Sequence, residues 1–277
     1  MKTKTGILSL LAIALLIPVL ANAGAVLFIH PTLVMFEGND RSATITLTNR
    51  GDETGTFEMS WTDMTMTPNG GLVKYEGNAP WSVQSYVRYS PRRVTLEPLE
   101  SQVVRIALRR GLDVPEGEYY SHFRVLTLNS EEVSLEVGGE KEQTDEENPS
   151  AVVIDARSAV AIPIVWRNSR DSSSASIEAV RIDRDANKLS VDVRRHGKLS
   201  VRGYLQVIET AEDGTRNSLA PPVPLVIYPN LEERTMSIDL NDGVVAANLK
   251  RGTEVFYSPE IEITDRSKVI DTYSLAR

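Results

Sequence analysis

The sequence predicts an all-β protein built as two successive antiparallel sandwiches, on three observations. Apolar and polar residues alternate with period two along many short runs, turn-forming residues separate those runs, and helical periodicity is almost absent. A half-polar strand must bury one face, and two antiparallel sheets facing each other bury one face of every strand at once. The chain has 277 residues, 41% hydrophobic and 25% charged, an ordinary globular composition. With domains of about 100 to 150 residues as the norm, this length suits two.

Residues 1–23 stand apart from that fold. Lys2 and Lys4 precede an apolar run from Ile7 to Leu20 and then Ala21-Asn22-Ala23, the charged start, apolar centre and small residues of a cleavable secretory signal peptide. The run is short for a bilayer span, and Pro18 interrupts it. Cleavage leaves Gly24 first and removes two positive charges from a chain already at net −8. No other segment is apolar enough to cross a bilayer, so residues 24–277 are expected in a periplasm-like space, with no membrane insertion. The negative charge, without a dense Lys/Arg block, disfavours nucleic acid as a partner. The absence of cysteine removes disulfides, thiol nucleophiles and Cys-based metal sites together.

Strand patterns begin at Val26. Ala43-Thr44-Ile45-Thr46-Leu47 and Val103-Val104-Arg105-Ile106-Ala107-Leu108 alternate clearly, and turns fall at Glu37-Gly38-Asn39-Asp40, Asn49-Arg50-Gly51-Asp52, Asn69-Gly70-Gly71, Glu97-Pro98, Pro115-Glu116-Gly117 and Asp213-Gly214. From Asn129 to Ala151 the pattern breaks, with eight acidic residues against one lysine and a Gly138-Gly139 pair, which predicts a solvated acidic loop over 129–151. Val152 to Arg167 follows as one very long strand. Its even positions Val152, Ile154, Ala156, Val160, Ile162, Ile164 and Trp166 form an apolar stripe broken only by Ser158. At about 3.3 Å per residue it would reach about 50 Å, so part of it should outrun its sheet. Pro163 cannot donate to a ladder and belongs at an edge or a bulge. The stripe reads equally as sandwich core or as a surface for pairing with another chain. A serine-rich linker is predicted over 168–176, dividing the chain near residue 170. Beyond it the strand candidates are Leu189–Val193, Arg202–Ile208, Val223–Ile227, Met236–Leu240 and Glu254–Tyr257.

Catalytic signatures are missing. His30, His122 and His196 are scattered without metal-ligand spacing, and H-E-x-x-H, G-x-S-x-G and G-x-x-x-x-G-K-[ST] do not occur, so neither an enzyme activity, a metal nor another cofactor is expected. Arg50-Gly51-Asp52 matches an adhesion tripeptide but lies where a hairpin turn is predicted. Trp61, Trp81 and Trp166 occupy strand contexts in which core packing is the ordinary role of tryptophan.

Several segments, in order, resemble the periplasmic chaperones of the chaperone–usher pilus pathway. They are His30-Pro31-Thr32-Leu33-Val34-Met35-Phe36-Glu37-Gly38 with Ala43 to Asn49, Ser90-Pro91-Arg92-Arg93-Val94-Thr95-Leu96-Glu97-Pro98 with Gln102-Val103-Val104-Arg105, Glu116-Gly117-Glu118-Tyr119-Tyr120-Ser121-His122, and Ile162-Pro163-Ile164-Val165-Trp166-Arg167. The likeness spans the first domain and the start of the second, and is nearer the cysteine-free branches. It implies two immunoglobulin-like sandwiches in a boomerang, residues 24–168 and 169–277. It also implies a chaperone that folds and caps pilus or fimbrial subunits by donor-strand complementation. In that reading Val152, Ile154, Ala156, Val160, Ile162 and Ile164 form the subunit-binding strand, pilus subunits and an outer-membrane usher are the partners, and no catalysis is involved. A self-capped dimer is among the states the resemblance allows. Glu118 and Arg167 fall where the family places an inter-domain salt bridge. The family's basic anchors for the subunit's terminal carboxylate are replaced by Leu33 and Pro163, and the arginine of the cysteine-free branches by Tyr120. His122 and Arg124 share the period-two face of Tyr120 and are the candidate replacements. The competing reading is an exported two-domain adhesion or carbohydrate-binding module.

Overall fold

A computed structural model describes residues 24–128, 132–135, 152–155, 158–249, 252–261 and 269–275, with the backbone alone for 132–135 and 152–155. The predicted signal peptide therefore lies outside the described residues, as do Ala156 and most of the predicted acidic loop.

The first sandwich follows directly from alternation. One sheet orders β1 (Leu27–His30), β3 (Ser42–Asn49), β9 (Ser101–Leu108) and β7 (Val87–Ser90) side by side. The facing sheet orders β2 (Val34–Phe36), β13 (Ala159–Asn168), β10 (Gly117–Thr127), β4 (Gly55–Thr62) and β8 (Arg93–Leu96). Ile45, Leu47, Val104 and Ile106 project from the first sheet onto Phe57, Phe123, Ile162 and Ile164 of the second, while Val103, one residue out of phase, is 50% exposed. Trp61 and Trp166 pack against this core. The turn at Asn49-Arg50-Gly51-Asp52 is fixed by the buried Asn49 side chain. Its amide donates to the carbonyls of Glu53 and Leu96, and its Oδ1 accepts from the N–H groups of Val26 and Gly51. Such a fully satisfied polar group holds a turn where no apolar contact could.

The second sandwich sets β14 (Ser174–Asp183), β15 (Lys188–His196) and β19 (Glu233–Asp239) against β17 (Arg216–Ser218), β16 (Val201–Thr210), β20 (Glu254–Ser258) and β21 (Asp271–Ser274), with β18 (Val223–Ile227) also paired to β16. Leu189, Val191, Leu205, Val207, Ile227, Ile238 and Val255 fill its separate core. All five strands expected in this part are present, with longer bounds at β15, β16 and β20, while β19 starts three residues earlier than expected and ends one short of Leu240. The linker is shorter than predicted. β13 runs to Asn168 and β14 starts at Ser174, because Ala175 and Ile177 bury on one face between polar neighbours. Only single-turn helical segments, at Gln84–Tyr86 and Ala246–Asn248, accompany the strands among the described residues.

Two ribbons stand apart from the sandwiches. β5 (Met64–Met66) pairs with β6 (Leu72–Lys74), continuing outward from β4. β11 (Glu132–Leu135) pairs with β12 (Val152–Asp155). Glu132–Leu135 was expected inside the acidic loop and is instead strand. The run predicted as one strand over 152–167 divides. Its first part leaves the five-stranded sheet for the β11 ribbon, and the register of pairing slips between the two ladders. Pro163 faces His122 of β10 on one side, and β2 joins the other side of β13 only from Ile164, so the proline sits where that side is unpaired.

Candidate functional site

In β10 the odd positions Tyr119, Phe123 and Val125 enter the first core, so Tyr120, His122 and Arg124 point to the opposite face. Directly opposed residues of an antiparallel pair share a face, and register therefore puts Val165, Pro163 and Ala161 of β13 beside them. The sequence-stripe parity is thereby decided for the second half of the run. Ile162 and Ile164 are 3% and 0% exposed inside the core, and Val160 packs on it, so these three correct the expectation of a strand presented to a partner. Val152 and Ile154 lie on β12, which pairs with β11, and their side chains are outside the description.

The second sandwich covers the lower part of this face. Tyr228, just past β18, joins Tyr120, Val165 and Met66 in a buried cluster flanked by Leu33, Met35 and Trp81. The Tyr120 ring stacks on Trp81 at 5.9 Å and meets Tyr228 edge-on at 4.8 Å. His122 is 1% exposed and its Nε2 lies 3.1 Å from the Tyr228 hydroxyl. Burial, reinforced by the positive charge of Arg202 and only partly opposed by Asp63, pulls its pKa from 6.5 down to about 4. His122 is thus neutral at pH 7 and sealed, which corrects its expectation as a cationic anchor. Arg124, one pleat further out opposite Ala161 and Ser60, stays partly exposed, and among the described residues no carboxylate pairs with it.

A depressed histidine pKa has a definite sign. Between about 6.5 and 4 the unfolded chain takes up a proton that the folded chain refuses, so stability falls as pH falls through that window. The expected contribution of His122 is a loss of about 2 kcal/mol between pH 7.5 and 5, read as the difference between wild type and His122→Gln in urea titrations at the two pH values. Equal pH dependence of the two proteins would show that the ring titrates normally.

Two further contacts close the joint. Glu118, whose side chain is 1% exposed, accepts from Arg167 Nε at 2.9 Å and from the Ser200 N–H at 3.1 Å. Arg167 also donates through Nη2 to the Ser200 carbonyl and through Nη1 to Glu37, both at 2.8 Å. On the other flank, Asn230 donates to the Met66 carbonyl at 2.8 Å and accepts from the Met66 N–H at 3.4 Å. At Gly70 the backbone has φ +83°, a left-handed conformation that favours glycine, and a Cβ there would stand 2.0 Å from Arg234 Nη2, so any side chain would also have to displace that guanidinium. The family resemblance pointed to Glu118 and Arg167, and neither it nor the residue pattern pointed to Ser200, Arg202, Tyr228 or Asn230. These partners are 33 to 164 residues away along the chain, and nothing local marks them.

No protein-family model matches the chain, and no curated protein does. Solved structures show likenesses. The chain is similar to one of the CsuC–CsuE chaperone–tip adhesion subunit pre-assembly complex, from archaic chaperone–usher Csu pili of Acinetobacter baumannii, at 14% identity over 86% of this chain and 95% of that one, with a TM-score of 0.46. It is similar to the YadV chaperone at 12% identity over 90% and 99%, with a TM-score of 0.44. The Pseudomonas aeruginosa CupB2 chaperone gives 15% identity over 90% and 99%, with a TM-score of 0.43.

Proposed function

We propose that the protein is a periplasmic, non-enzymatic chaperone that folds and caps pilus or fimbrial subunits by donating a strand. The observation that carries this reading is the backbone of β12. Among the described residues it pairs only with β11, in a two-stranded ribbon outside both sandwiches, so its other edge has no ladder partner. An unpaired edge is a template for strand addition, in which main-chain bonds give affinity and alternate side chains give selectivity. Val152, Ile154 and Ala156 are the residues of the stripe left for that role. Burying them in a partner offers about 1.5–3 kcal/mol for each large side chain, before the cost of association. Arg124 is the residue for an acidic group of the subunit, since it is partly exposed and no carboxylate of the described chain neutralises it. The reading includes export by cleavage after Ala23, division into domains 24–168 and 169–277 with Glu118 and Arg167 at their contact, and an outer-membrane usher that receives the loaded complex.

The test is recovery of the tagged chain from its native envelope beside an Ile154→Asp variant. A small β-rich protein in one-to-one ratio with the wild type and lost from the variant is the expected result. A bare chain retaining defined glycans would overturn the reading in favour of a carbohydrate-binding module.

A further inference from the structure

The second sandwich reaches the first through Ser200, Tyr228 and Asn230. All three lie in loops, Ser200 just before β16 and the other two between β18 and β19, and a loop has no ladder to fix its place. One side chain reaches both loops. Arg195 continues the inward stripe of β15 beyond Leu189, Val191 and Val193, so it points into the end of the second sandwich and is only 9% exposed. Its guanidinium donates through Nε to the Leu231 carbonyl at 2.9 Å and through Nη2 to the Pro229 carbonyl at 3.1 Å. Through Nη1 it donates to the carbonyls of Gly197 and, at 3.3 Å, Leu199. Leu199 adjoins Ser200, Pro229 stands between Tyr228 and Asn230, and Leu231 follows Asn230. Among the described residues Arg195 forms no ion pair. A buried cation satisfied by carbonyls alone is tied to the main chain itself, which cannot rotate aside as a carboxylate side chain can. The linker is drawn into the same arrangement. Ser173 Oγ accepts from the Leu199 N–H at 2.8 Å, and at Gly197, with φ +92°, a Cβ would stand 2.6 Å from the Ser172 carbonyl oxygen.

We propose that Arg195 is the positioning residue of the joint: by gathering two loops around one planar fork it sets where Ser200, Tyr228 and Asn230 stand, and so how the second sandwich seats on the first. All of its hydrogen bonds stay within the second sandwich, so it acts only through the loops it holds. The guanidinium is suited to this because its donors lie in one rigid plane and can serve both loops at once, whereas a lysine ammonium is a single point on a flexible stem. The inference concerns the joint and does not rest on strand donation by β12.

The experiment measures the distance between the sandwiches by electron–electron double resonance in the chain from Gly24 onward. The chain has no cysteine, so spin labels go only to Thr44→Cys and Ser237→Cys, at exposed positions of β3 and β19. The parent is expected to give one narrow distribution, and Arg195→Lys to keep a folded second sandwich while widening that distribution at least about twofold. Leu189→Ala, which opens the second core without touching either loop, should lower stability and leave the width unchanged. A distribution in Arg195→Lys as narrow as the parent's overturns the proposal, and so does equal widening in Leu189→Ala, which would make the width a consequence of stability alone. Should Arg195→Lys fail to fold, the wild-type chain decides: the Nη hydrogens of Arg195 are expected as separate, slowly exchanging NMR signals, and a single averaged signal overturns the proposal without any variant.

Discussion

Arg167→Ala is expected to destabilise the protein by about 3 kcal/mol and to separate the unfolding of the two sandwiches into distinct steps. The magnitude comes from Glu118 more than from the arginine. Glu118 is buried to 1% exposure, and alanine at 167 would leave its carboxylate with the Ser200 N–H alone. Removing one member of a buried pair costs more than the pair contributes, since an uncompensated charge stays behind. Glu118→Gln keeps shape and hydrogen bonding and should cost less, about 1 kcal/mol. The double variant should therefore be less damaging than the two single losses added, with a coupling of about 2 kcal/mol. The Glu37 arm of the bridge is half exposed and contributes little. Urea titration followed by tryptophan fluorescence and by far-ultraviolet circular dichroism reads both effects. A single coincident transition shifted by under about 1 kcal/mol would show that the clamp is incidental to the joint.

Ile164→Asp should abolish the first sandwich altogether. Ile164 is 0% exposed, opposite Ser121 on β10 and beside Val34 on β2, and an aspartate there meets neither water nor a cation. The cost of an unpaired buried charge exceeds the several kcal/mol of net stability that a domain of this size possesses. Ile164→Val, which only trims a methylene, should cost about 1 kcal/mol and fold normally. The informative comparison is with Ile154→Asp, ten residues earlier on the same sequence stripe, which should fold as wild type and lose only the partner. Protease resistance of the purified chains separates the cases, and an Ile164→Asp protein as resistant as wild type would mean that β13 is not core.

That pair of variants also marks how far the sequence could be read. Strands whose one face is buried, such as Ser42–Asn49 and Lys188–His196, announce themselves by alternation, and the Asn49 turn by its residue types. Alternation identifies two faces without saying which is covered, and it loses meaning where both are. At the end of β13 Ile164 and Val165 are each 0% exposed, one in the first core and the other under the second sandwich. The residues facing the joint were therefore the odd positions beside the stripe that drew attention. β14 escaped because a bulge between Ile177 and Ala179 changes the parity of its core-facing residues, from Ala175 and Ile177 to Val180 and Ile182, so no single period-two pattern runs its length. The charge of His122 could not be foreseen either, since it depends on Tyr228 and Arg202, which lie far along the chain.

The joint is fastened at Glu118 and His122, both on β10, and at Met66, on a ribbon leading off the neighbouring strand. Two fastenings along one strand still allow swing about the line between them, as a door swings on two pins. The third lies off that line and stops the swing. The two sandwiches are thus tied at three points that do not share one line, and each tie opposes a swing that the other two would allow.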